Sequence, residues 1–228
     1  MRILAVDTAT TSCSVAIMDQ MSLAVEFTLN RKETHSKHLM EMIHAILTIS
    51  AFDLSAVDGF AVTKGPGSFT GLRIGISTVK GLAAGTGKPI VGVSSLEALA
   101  VQVPVSSNLI CPIIDARKGE IYFSRYRLIN DQLQKETNEK VTRPEKAFDD
   151  LKESCLFVGN GALLYKHIIL EKLGRFASFV PRAHNTIRAS TVAHLSMAKF
   201  KSKNTDKIED FSPHYIRRSD AEIKIGNT

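Results

Sequence analysis

Asp7-Thr8-Ala9-Thr10-Thr11-Ser12 follows an apolar run beginning at Ile3. A carboxylate at a strand end, with hydroxyls in the next turn, can hold a phosphate or a magnesium-bound water. The same residue types hydrogen-bond their own backbone in ordinary turns, so both readings stay open. Asp7, Thr10 and Thr11 are the candidate cofactor contacts, and no cofactor is assigned to them. A second candidate is Gly65-Pro66-Gly67-Ser68-Phe69-Thr70-Gly71-Leu72-Arg73-Ile74-Gly75, which joins an apolar strand to a helix through glycines. It is not a Walker loop, because no Gly-Lys-Ser/Thr follows, and its glycine spacing does not fit a dinucleotide fingerprint. Gly71, Gly75, Gly81 and Gly85 fall four apart in pairs inside the expected helix, where each costs about 1 kcal/mol relative to alanine. Helix packing against helix, in the core or across a subunit boundary, is the expected reason.

His35, His38 and His44 suggest a metal, but on one straight helix His44 points away from His35, and a single ion cannot take all three. Cys13, Cys111 and Cys155 are far apart and outside any C-x-x-C spacing, as expected of buried reduced thiols. No nucleophile with its base is visible in local spacing, so the sequence offers an enzyme mechanism little to work with.

The elements that must position these residues follow from periodicity. Residues 3–7, 14–18 and 23–29 predict a three-strand meander, 36–49 a helix, 59–63 a buried strand, 70–84 a helix, 89–93 a strand and 95–101 a helix. The helix at 36–49 carries apolar residues on more faces than one core needs. From residue 109 the plan restarts: Leu109-Ile110-Cys111-Pro112-Ile113-Ile114-Asp115 again runs apolar into Asp, and a turn at Lys118-Gly119 leads into a strand at 121–126. Asp115 corresponds to Asp7, and Phe157-Val158-Gly159-Asn160-Gly161 to the step Val62–Gly67. Two related α/β lobes are expected, 1–104 and 105–228, the second degenerate, with the break in the Pro/Ser/Asn stretch at 103–108. A late helix is predicted at 190–201, followed by a docked tail over 212–225.

The 228 residues, 44% of them apolar, suffice for a sizeable core. No run has the length of a membrane span, and the opening residues are too short for a signal-peptide core, so a cytoplasmic protein is expected. Residues 1–104 carry 8 basic and 8 acidic side chains, and 105–228 carry 21 and 15, so the net charge of +6 belongs to the second half. The excess permits contact with tRNA or an acidic partner, but the bases are scattered, as on a solvated surface.

Four segments together resemble one family: the opening Ile3-Leu4-Ala5-Val6-Asp7-Thr8, the loop and helix 65–75, Lys88-Pro89-Ile90-Val91-Gly92-Val93-Ser94-Ser95-Leu96-Glu97-Ala98-Leu99, and Asp115-Ala116-Arg117-Lys118-Gly119-Glu120-Ile121-Tyr122. They are similar to the TsaB (YeaZ) family, as are Pro213-His214-Tyr215-Ile216-Arg217-Arg218 and Ala221-Glu222 near the end. The resemblance implies an actin-like, sugar-kinase-type fold of two repeated lobes. It further implies a non-catalytic partner and activator of the paralogue TsaD, acting with the ATPase TsaE to form N6-threonylcarbamoyladenosine at position 37 of tRNAs that read codons beginning with A. Where the paralogue has two metal-binding histidines in Val-Asn-His-Met-Glu-Gly-His, this chain has Ser95 and Leu99, which cannot ligate in their place. In the family the helices matching 36–49 and 70–84 form the pairing surface, with a second copy in isolation or with TsaD. The expected interface residues are Leu39, Met42, Ile43, Ile46, Gly71, Ile74, Gly75 and Thr78, with tRNA met indirectly. The alternatives are a metallopeptidase-like hydrolase and a small-molecule kinase of the same fold.

Overall fold

The structure, a computed structural model, describes residues 1–31, 35–103, 106–130 and 132–217. The first lobe opens with the meander β1 (Arg2–Asp7), β2 (Ser12–Asp19) and β3 (Ser22–Asn30). It continues through α1 (Leu39–Ser50), β4 (Gly59–Gly65), α2 (Phe69–Thr86), β5 (Ile90–Ser94) and α3 (Ser95–Val101). The sheet order is β3-β2-β1-β4-β5, with β1, β4 and β5 parallel. β1 is apolar without alternation because both its faces are covered. Ile3 and Ala5 point into the core between the lobes, while Leu4 and Val6 point into an outer core beneath α1 and α2. α2 starts at Ser68, whose hydroxyl accepts from the Gly71 amide, and stops at Gly87, which takes the left-handed conformation that suits glycine.

The second lobe repeats the plan. β6 (Leu109–Arg117) and β7 (Glu120–Phe123) pair antiparallel. The hairpin of β8 (Tyr126–Ile129) and β9 (Gln132–Lys135) intervenes before β10 (Lys140–Thr142) joins β7. Then come α4 (Pro144–Ala147), β11 (Cys155–Val158), α5 (Asn160–Leu164), α6 (Lys166–Leu173) and β12 (Ala177–Phe179). The order β10-β7-β6-β11-β12 matches the first sheet strand for strand, giving the duplicated actin-like arrangement. The expected single strand at 121–126 is two strands, because the chain leaves β7 after Phe123 and β8 pairs with β6 and β9 instead. All three cysteines are buried free thiols.

A division at residue 104 separates the sheets but not their packing. α7 (Ala189–Lys201), from the second half, lies on β1, β2, β4 and β5, while α3 lies on β6. Ala5, Val91, Leu99, Ile110, Ile114, Val192 and Met197 thereby share one core built by both halves. Residues 212–217 of the tail dock on both lobes, through His214 on Lys64 and Arg217 on Ala116; Arg218, Ala221 and Glu222 lie outside the described residues. Among the described residues, no helix is long and apolar enough to cross a membrane.

Candidate functional site

The carboxyl ends of β1, β4 and β5 in one lobe, and of β6 and β11 in the other, bring Asp7, Thr63, Ser94, Asp115 and Gly159 to the place where open α/β sheets ordinarily bind ligands. Parallel pairing sets Val6 beside Val62, so Thr63 follows directly alongside Asp7. Its hydroxyl donates to Asp7 Oδ1 at 2.8 Å, and the Ala9 amide donates to the same oxygen at 3.1 Å. The other oxygen, Oδ2, is buried and meets no donor. Burial pushes the carboxyl up to about 7, against these two hydrogen bonds, which favour the charged form.

The turn after Asp7 is closed by α2 and the loop before it. Thr8 donates its hydroxyl to the Gly71 carbonyl at 2.8 Å, and the Ser68 amide donates to the Ala9 carbonyl at 2.7 Å. A Cβ on Gly67 would stand 2.4 Å from the Ala9 carbonyl, one on Gly71 2.1 Å from the Thr8 carbonyl, and one on Gly75 2.3 Å from Thr8 Oγ1. Gly67, Gly71 and Gly75 therefore serve contact with the β1 turn. Within the lobe Gly71 and Gly75 thus face a strand turn, where close packing against another helix was expected. Gly81 and Gly85 differ, since a Cβ on either would meet nothing within 4 Å.

Of the candidate cofactor contacts, Thr10 is half-buried and bonded to Ser12, and its carbonyl accepts from His35 Nε2 at 2.8 Å, while Thr11 is exposed. The turn's polar groups are largely engaged within the lobe and make a poor fit for the phosphates of a nucleotide. His35 sits in a short 3-10 turn ahead of α1, and His38 faces Glu41 at 3.7 Å. Among the described residues no three His, Cys, Asp or Glu side chains cluster as a metal site requires.

Ser95 and Leu99 are both fully buried. Ser95 Oγ has no partner, and Leu99 Cδ1 lies 2.9 Å from where a Cβ on Gly159 would stand, so an aliphatic side chain seals the contact between α3 and the second lobe. Nearby, Ser94 donates to Glu139 at 2.5 Å across the lobes. Glu139 lies in an irregular stretch with no motif around it, which is why local sequence patterns do not reveal it; Thr8 and Thr63 could have been paired with the glycine loop only by knowing the strand order.

The chain aligns with a protein named tRNA threonylcarbamoyladenosine biosynthesis protein TsaB from Bacillus subtilis at 33% identity, over 98% of its own length and 97% of the relative's. It belongs to the TsaB family. The family model described as TsaD, tRNA N6-adenosine threonylcarbamoyltransferase, also matches residues 24–225, as the kinship of TsaB with that paralogue requires. A solved structure of YeaZ from Pseudomonas aeruginosa superposes with a TM-score of 0.82 at 27% identity, covering 94% of this chain and 99% of that one. The ethanolamine utilization protein EutJ of Carboxydothermus hydrogenoformans shares the fold alone, with a TM-score of 0.55 at 12% identity over 85% and 89% of the two chains.

The surface expected to pair TsaB with other chains divides in two. Leu39, Ile43 and Ile46 are buried in the outer core of their own lobe, because α1 needs that stripe to sit on the sheet. Gly71 and Gly75 are buried as well, against the β1 turn. Met42, Ile74 and Thr78 keep part of their surface outward, and Ile49, Gly81 and Gly85 are exposed, the two glycines with open space where a Cβ would stand.

Proposed function

We propose that this TsaB-family chain is the non-catalytic subunit that activates a TsaD-like paralogue in forming N6-threonylcarbamoyladenosine at position 37 of tRNA. A TsaE-like ATPase completes the set in the cytoplasm, and tRNA is met through the partner. The observation that carries this is the junction at Ser95 and Leu99. The two positions that match the paralogue's histidines are buried, one a hydroxyl and the other an aliphatic plug against Gly159. A catalytic metal held there would need two imidazoles and an open coordination position.

Activation then works through contact, and the outward flank of α1 and α2 supports that role. Met42 and Ile49 on α1, and Ile74 and Thr78 on α2, present apolar or small surface, and Gly81 and Gly85 on α2 leave space for a close partner backbone. In isolation the same flank pairs two copies of the chain; in the assembly it receives the paralogue. Ile49→Glu and Gly81→Trp should each weaken association by roughly tenfold to a thousandfold, the range expected for an unpaired carboxylate or a bulky side chain at a packed contact. Both positions are exposed, so the fold should survive, which circular dichroism checks. Reconstitution with the paralogue, the ATPase and tRNA, read by nucleoside mass spectrometry, should show modification falling in step with association. Full modification by a mixture in which these variants no longer bind would overturn the proposal.

A further inference from the structure

The tail from Asp206 to Arg217 first packs on the first lobe, where Ile208 and Phe211 join the outer core, and then runs on to the second. Asp206 accepts from the Gly92 amide at 2.8 Å and bridges Ile90 at the edge of β5. Phe211 is buried over β5, and its carbonyl accepts from Lys80 Nζ at 3.1 Å. The His214 amide donates to the Lys64 carbonyl at 2.7 Å, at the carboxyl end of β4. Tyr215 stacks on Phe69 with ring centroids 4.6 Å apart and accepts from Arg73 Nε at 3.0 Å. Arg217 then crosses to the second lobe, donating to the Ala116 carbonyl at 2.8 Å and lying 3.4 Å from Glu120.

Two glycines are shaped to this path. A Cβ on Gly92 would stand 2.8 Å from the Phe211 ring, and one on Gly65 would stand 2.7 Å from the His214 carbonyl. Strand positions rarely favour glycine, so its presence marks places where another group must approach closely. At Gly65 the nearest approaching group is the tail; at Gly92 the Phe211 ring shares the space with the Lys64 side chain, whose Cδ would stand 2.6 Å away. Glu139, from the second lobe, faces the same segment: its carboxylate accepts from Ser94 and lies 3.8 Å from His214 Nδ1.

We propose that residues 211–217 are a clasp that links the carboxyl ends of β4 and β6 and fixes the separation of the two lobes there, with Tyr215 and Arg217 as its positioning residues. The shared core that includes α3 and α7 holds the lobes together, so the clasp decides how far these two strand ends part. Its seat on Phe69 and Arg73 also ties that opening to the first turn of α2, whose outward flank carries the partner contact. This second step rests on the function proposed above; the first does not.

The test uses the full chain with spin labels on cysteines introduced at the exposed positions Ser77 and Glu171, one on each lobe; the three native cysteines are buried. Tyr215→Ala and Arg217→Ala remove surface contacts and leave the cores alone. Each should broaden the inter-lobe distance distribution roughly twofold and speed amide exchange at 64–69 by about tenfold, as local opening does, while exchange in α6 stays unchanged. Gly92→Ala should do the same from beneath by displacing Phe211. Distance distributions that superpose on the parent's in all three variants would overturn the clasp, even if tail amides alone exchanged faster. Titration against the TsaD-like partner separates the two steps: a widened distance with unchanged affinity keeps the clasp and counts against its link to the partner face.

Discussion

Asp7 and Asp115 end corresponding strands, yet they live in different surroundings. Asp7 is fully buried, with α2 seated on the turn that follows it. Asp115 keeps access to solvent and accepts from the Arg117 amide at 2.9 Å and the Tyr165 hydroxyl at 3.2 Å. Each turn uses the same carboxylate-to-amide bond two residues on, from Ala9 in one and Arg117 in the other. What differs is the cap. In the first lobe one helix of 18 residues reaches the turn through Gly71 and Gly75, whereas in the second the corresponding segment is broken at Tyr165 into α5 and α6. A duplicated strand scaffold thus leaves the chemistry to the connecting segments, and here they bury one carboxylate fully and the other only in part.

The largest break in this comparison should come from Gly71→Val, because even a methyl group would overlap the Thr8 carbonyl. A loss of about 4 kcal/mol or more is expected from forced overlap with backbone, read by urea denaturation. The substitution Gly75→Leu, which looks from sequence like a probe of association, should act on the fold in the same way. Phe148→Ala tests the other lobe, whose outer core stacks Phe123, Phe148 and Phe157 edge to face. A loss of about 3–4 kcal/mol is expected for so large a cavity, with partner binding through the first lobe retained in native conditions.

A smaller effect separates the lobes by pH. Folding raises the Asp7 carboxyl from an ordinary 3.8 to about 7, so between those values the folded chain keeps a proton that the unfolded chain has released. Stability from this group is therefore greatest below pH 4, falls as pH rises toward 7, and levels off above. Asp7→Asn keeps the acceptor for Thr63 and Ala9 and should remove that slope, gaining about 2–4 kcal/mol over the parent at pH 8 relative to pH 4. Denaturation midpoints across that range check it, and an unchanged slope would show that the group titrates elsewhere. The smallest effect is Gly81→Ala, in the same helix as Gly71 but facing open space: a gain of about 0.5–1 kcal/mol is expected from helix propensity. A loss there would mean that the two glycine pairs of α2 are not as different as their surroundings make them.

Much of the scaffold was legible because its signals are local. Apolar runs ending in Asp7 and Asp115, strand-to-glycine steps at Gly65 and Gly159, and the restart near residue 109 are each readable within a dozen residues, and the strand order bears out the correspondence between halves. The faces of α1 and α2 were not legible, since a helix apolar on several sides gives no rule for which side meets its own sheet, and Leu39, Ile43 and Ile46 proved to be that side. Gly71 and Gly75 have a spacing that suits a helix partner as well as a strand turn, and only the parallel pairing of β1 with β4 brought Thr8 under them. The placement of α7 on the first sheet, Leu99 against Gly159, and the tail across Gly65 and Gly92 all join residues far apart in sequence. Sequence determined which segments would be strand, helix and turn because those choices rest on neighbours a few residues away; contacts between distant segments were decided only when both sheets packed around one shared core.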